Sequence, residues 1–211
     1  MPKIKMPRSS PSLDMTPMVD LAFLLVTFFM LTAQFRPEEA VAVDTPSSMS
    51  QSPIPTENLM TITVDSAGRV FWDFTDKKVR TAVVVEMARR YNLPPLTEEQ
   101  VTRFTNLNNI GVPMALLPGY LDLDNATERK EVDMQSKGIP HDDANNQLQD
   151  WIRVTQMIFS SEGGGKNPLV ALKGDGNTKY STINEVIKIF QGPTIKINRF
   201  KMITDLEESR M

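Results

Sequence analysis

Asp20 is the residue of this 211-residue chain whose surroundings demand a chemical explanation. It is the one ionisable side chain in the apolar run from Met18 to Phe35, where only Thr27, Thr32 and Gln34 are otherwise polar. Placing an ionised Asp in the middle of a membrane span costs ~2.5–3.5 kcal/mol, and less toward its ends. Thr16 can serve as N-cap, and Pro17 suits the first helical position, where a missing N–H loses nothing. Asp20 then falls in the first turn, where the helix dipole favours the anion while burial favours the neutral acid. A carboxyl held between two such pulls can take up and release a proton. The plainer alternative is an interfacial carboxylate at headgroup level. Asp20, Thr27 and Gln34 are spaced by seven and share one helix face. A polar stripe on a lone membrane helix points to a face covered by protein instead of lipid.

The element that must position this carboxyl is the run itself. Its 18 residues reach ~27 Å at ~1.5 Å per residue, about the thickness of a bilayer's hydrocarbon core. No second run of this kind follows, so one span over residues 16–36 is expected. Lys3, Lys5, Arg8 and Arg36 against Asp14 and Asp20 give residues 1–36 a net charge of +2, and the remainder −5. A basic head before the span predicts an N-terminus in the cytoplasm and the rest outside it. A cleaved signal peptide is the rival for this segment, with Ala40-Val41-Ala42 as a candidate site. Against cleavage stand Asp20 inside the run and Arg36, Glu38 and Glu39 between the run and that site.

The segment Asp14-Met15-Thr16-Pro17-Met18-Val19-Asp20, its Leu-rich continuation and Phe28-Phe29-Met30-Leu31 together resemble the signature of the ExbD/TolR family. These are single-span subunits of proton-driven inner-membrane motors in Gram-negative bacteria. The resemblance implies that Asp20 is the proton-carrying residue and that Thr27 and Gln34 contact a ring partner. It also implies the partners: an ExbB-like multi-span ring, a second ExbD-like chain, and a TonB-like protein or, in a TolR-like role, the peptidoglycan. No cofactor is expected beyond protons as the coupling ion.

Around the span, residues 1–15 read as a cytoplasmic tail and the Pro- and Ser-rich residues 37–58 as an extended periplasmic linker. Residues 40–46 offer a short strand within that linker. From residue 59 onward the pattern is that of an α+β domain, reaching to residue 205, with 206–211 as a tail. Residues 59–64 alternate, 65–68 supply a turn and 69–73 pair back as a β-hairpin. Asp76 caps a helix over 77–91 with Val79, Val83 and Met87 on one face. Residues 96–161 read as a helical insertion, with helices over about 97–107 and 143–160, the second burying Leu148, Trp151 and Ile152. A strand over 169–173, a helix over 180–191 and a last strand over 195–203 complete a two-layer arrangement of helices on a mixed sheet.

Other chemistries find no support. His141 is the only histidine and there is no cysteine, so neither a His-based triad, a metal cluster nor thiol chemistry can be assembled. Asp122, Asp124, Glu128 and Asp133 lack the spacing of a calcium loop. Asp142 and Asp143 read as a solvated turn and helix cap, and Asn125-Ala126-Thr127 as a formal sequon. The run Gly163-Gly164-Gly165-Lys166 lacks the spacing of a phosphate loop. Nothing outside the span is basic enough for nucleic acid. The chain is therefore expected to be no enzyme. A passive membrane-anchored periplasmic binding domain is the alternative to a motor subunit.

Overall fold

The computed structural model describes residues 15–32, 43, 45, 47, 48, 57–142, 144–162, 167–203, 205 and 206. The chain divides into two compact units, Met1–Arg36 and Pro37–Met211. In the first, α1 covers Thr16–Thr32 and buries none of its residues. Among the described residues no helix is long and apolar enough to cross a membrane, α1 counting 17 residues. Gln34, the basic tail of Lys3, Lys5 and Arg8, the end of the apolar run at Phe35 and Arg36, the triglycine loop and residues 207–211 lie outside the described residues.

The second unit runs β1 (Ser47–Ser48), β2 (Leu59–Val64), β3 (Val70–Phe74), α2 (Lys77–Arg90) and α3 (Glu98–Asn106). A 3-10 turn (Met114–Leu116), α4 (Leu117–Asp122), α5 (Ala126–Gln135), β4 (His141–Asp142), β5 (Asn145–Asn146) and α6 (Gln147–Glu162) follow. It closes with β6 (Leu169–Gly174), α7 (Tyr180–Gln191), β7 (Lys201–Ile203) and β8 (Asp205–Leu206). The class is α+β. A four-stranded sheet has the order β3-β2-β6-β7, antiparallel between β2 and β3 and parallel elsewhere.

The period-2 pattern dictates the sheet's inner face. Met60, Ile62 and Val64 stand opposite Phe74, Trp72 and Val70 across the hairpin, and beside Val170, Leu172 and Gly174 on β6. Gly68 takes φ +80° in the connecting turn, a conformation that costs glycine little. The Asp76 side chain accepts from Lys78 N at 2.8 Å and opens α2, whose Val79, Val83 and Met87 are buried as the spacing predicts. Thr97 and Gln100 form a reciprocal capping box that starts α3.

Residues 96–161 belong to the core of this domain. Trp151 of α6 stacks on Trp72 of β3 at 4.9 Å and on Phe104 of α3 at 6.0 Å. Phe104 and Trp72 close the triangle at 6.2 Å. Ile110 exchanges both backbone hydrogen bonds with Trp72, each 2.8 Å, and Ile139 N donates to Val70 O. The edge of β3 is thereby covered, as edge strands require.

Four expectations need correction. α6 begins at Gln147, not 143, because β4 and β5 pair antiparallel first and Asn146 Oδ1 accepts from Gln149 N at 2.9 Å. Asp142 is thus a strand residue, and Asp143 lies outside the described residues. The last strand is only Lys201–Ile203: Lys196 takes φ +55° and Ile197 N returns to Phe190 O at 2.8 Å, so the chain first wraps the end of α7. Leu206, expected to open the tail, is a strand residue, because Asp205–Leu206 pairs in parallel with Ser47–Ser48. Of the strand expected over 40–46, Val43 and Thr45 stand in no strand and the other residues lie outside the described ones; the strand among the described linker residues is Ser47–Ser48.

Candidate functional site

The backbone places Asp20 slightly deeper in its helix than the capping pattern suggests. Val19 N donates to Met15 O at 3.0 Å, so Met15 occupies the cap position and Thr16 and Pro17 are the first two helical residues. Pro17 still costs nothing there, since its absent N–H would be one of the four unsatisfied donors. Asp20 consequently lies past the first turn, which contains no acid. The helix dipole acts mainly within that turn. The carboxyl therefore faces its apolar surroundings with less support from the backbone than expected.

Thr16, Pro17, Val19 and Phe23 surround Asp20 in a shallow depression on the helix. Among the described residues no side chain pairs with its carboxylate. Thr27 lies two turns further along the same face, and its Oγ1 donates to Phe23 O at 3.0 Å and to Leu24 O at 2.9 Å. Thr32 behaves alike, donating to Phe28 O at 2.8 Å. Both hydroxyl protons are thus spent inside the helix, which removes the penalty of exposing them to hydrocarbon. Among the described residues, what remains on the stripe is one carboxyl and the acceptor lone pairs of Thr27. Leu21, Phe23, Phe29 and Leu31 are all more than 60 % exposed. A helix that is apolar all round and uncovered needs lipid or protein around it.

His141 Nε2 lies 3.8 Å from Glu185 Oε2 while its Nδ1 faces Ile139 O at 3.2 Å. Among the described residues no three His, Cys, Asp or Glu could hold a metal. Asn125, the sequon residue, caps α5 by accepting from Thr127 N at 3.3 Å. Asp122 accepts from Gln100 and Asp124 pairs with Arg103, which leaves both in structural roles.

Arg80 and Asp133 are among the buried charged groups that escaped the sequence reading. Arg80 is 3 % exposed, pairs with Asp73 at 3.0 Å and donates to Phe104 O at 3.1 Å. Burial lowers its guanidinium's proton affinity, and Asp73 works against that. Asp133 is 2 % exposed and accepts from Tyr120 Oη at 3.0 Å. The only local signal for Asp133 was Arg129 four residues earlier. Its burial depends on partners 13 and 64 residues away, which no spacing rule reveals.

No curated protein and no solved structure matches the chain. A family model described as biopolymer transport protein ExbD/TolR matches residues 6–202, spanning the apolar helix, the linker and nearly all of the outer domain. That range includes residues 96–161, so the added helices lie within the matched region and not beside it. With the Asp20 helix and the α+β domain joined under a single match, the chain belongs to the ExbD/TolR family of biopolymer transport proteins, subunits of energising motors.

Proposed function

We propose that the chain is the ExbD-like subunit of a proton-motive-force-driven motor in the inner membrane of a Gram-negative bacterium. In this reading the apolar run that contains Asp20 spans the bilayer once, with the N-terminus in the cytoplasm and the domain in the periplasm. The observation that carries the reading is Asp20: a carboxyl without a partner among the described residues, on an apolar helix that buries none of its residues, in a family-matched chain. Two such helices lie inside an ExbB-like ring, and protons crossing the membrane neutralise and release Asp20 in turn. The ionised form is costly against lipid and favourable against a polar ring surface, so each proton changes which neighbour the helix face prefers. An elementary charge falling through 100 mV supplies ~2.3 kcal/mol, so a few protons per step suffice for mechanical work.

Thr27, with its proton committed to the helix, offers the ring only an acceptor, and Gln34 would extend the same stripe. The outer domain passes the work to a TonB-like protein that energises outer-membrane transport. A TolR-like role would use the same carboxyl chemistry with the cell wall as counterpart. The test is Asp20→Asn assayed for proton-motive-force-dependent uptake, with ring assembly followed in parallel. Assembly without uptake is the expected result. Uptake at the normal rate would make the chain a passive anchor.

A further inference from the structure

Asp133 has no part in the motor chemistry, and its surroundings are unusual for a carboxyl. It stands at the C-terminal end of α5, 2 % exposed, where α5 meets α4 and the β2–β3 turn. Tyr120 of α4 donates to its Oδ2 at 3.0 Å, while no hydrogen bond reaches its Oδ1. Arg69 of the turn donates to the backbone oxygens of Asp133 at 2.7 Å and Met134 at 3.1 Å, and is itself held by Asp65 at 2.6 Å. Arg129, one turn back on α5 and 8 % exposed, donates to Leu123 O at 2.6 Å. Just beyond α5, Gly138 passes so close to the hairpin that a Cβ there would lie 2.6 Å from Val70 N. The chain leaving α5 is thereby held close against the hairpin.

We propose that Asp133 is a proton-sensing joint of the outer domain, seating α5 on α4 and on the hairpin turn more firmly when its carboxyl is neutral. The charged and titratable groups that face it are Tyr120 from α4, Arg129 from its own helix, and Arg69 from the turn, the last shared with Asp65. With all of these ionised except Tyr120, Arg69 divides its charge between two carboxylates while Asp133 is shut away from water. Protonation removes the buried anion, and the neutral acid keeps a hydrogen bond with Tyr120, whose hydroxyl can accept as well as donate. Burial pushes the Asp133 carboxyl up to about 6, against the opposing pull of Tyr120, Arg69 and Arg129. A carboxyl that holds its proton more tightly folded than unfolded stabilises the fold at low pH. That contribution is lost as pH rises from the ordinary 3.8 through about 6. This inference concerns the outer domain alone and stands whether or not Asp20 carries protons.

The experiment uses the full-length chain in detergent, with thermal unfolding and amide exchange of α5 followed between pH 4.5 and 8. Asp133→Asn mimics the neutral acid. Relative to this variant, the wild type should lose melting temperature by several degrees between pH 5 and pH 7.5, and its α5 amides should exchange faster at the higher pH. A wild-type-minus-variant difference that stays constant across this range would overturn the proposal. Should the Asn variant fold poorly, ¹³C-carboxyl titration of the wild type decides the matter. A midpoint between pH 5 and 7 that moves upward in Tyr120→Phe supports the joint, and a midpoint near 4 refutes it.

Discussion

At the residue scale the chain separates two kinds of buried or apolar-facing charge. Asp20 is exposed on its own helix and has no partner among the described residues, which is costly in lipid and useful only if something meets it. Arg80 is the opposite case, enclosed by the fold and bonded to Phe104 O as well as to the partly exposed Asp73. Removing Asp73 leaves a buried guanidinium without its counter-ion, at a cost of up to ~3–5 kcal/mol. Asp73→Ala should therefore lower the urea midpoint far more than Asp76→Ala, which deletes an exposed helix cap worth ~1 kcal/mol. Equal midpoints for the two variants would contradict the assignment of Arg80. Gly138 supplies a third residue-scale expectation. It combines φ +77° with an approach of 2.6 Å between a would-be Cβ and Val70 N. Gly138→Ala should destabilise by ~1–3 kcal/mol, measured by the same denaturation.

At the scale of elements, what was legible in the sequence follows from locality. The hairpin, the Asp76-capped helix, the helix expected from about residue 97 and α7 all rest on contacts within a few residues. Their bounds match the expected ones within one or two positions. The errors arose where distant segments decide. Residues 195–200 are apolar enough for a strand, yet Ile195 N and Lys196 N bond to Gly192 O and hold them against the end of α7. Ser47–Ser48 has no strand pattern and pairs only because Asp205–Leu206 lies beside it. Asp20's place was legible as a face and a spacing. Its depth was not, because the first helical bond comes from Met15 and not from the cap the sequence suggests. The helices of residues 96–161 were visible singly, but their common purpose was not: Phe104 and Trp151 meet on Trp72. Trp151→Ala should cost ~3–5 kcal/mol by chemical denaturation. Deleting residues 96–161 should abolish cooperative unfolding of the outer domain altogether. A cooperative transition in the deletion variant would mean that these helices are an appendage after all.

At the scale of the whole molecule, the two units carry separate tasks: a helix with one carboxyl, and a domain whose core is built from both halves of its sequence. A single-span arrangement has a direct readout, because the chain contains no cysteine of its own. Ser10→Cys and Ser66→Cys, introduced singly, should be labelled by an impermeant thiol reagent from opposite sides of the membrane. Labelling of both from the outside would refute the topology. The central claim is nevertheless about protons, and proton flux tests it most directly. Liposomes holding the chain together with its ring partner should acidify when a pH gradient and potential are imposed, and the Asp20→Asn complex, assembled to the same extent, should not. An Asp20→Asn complex that conducts protons at the wild-type rate would contradict the account.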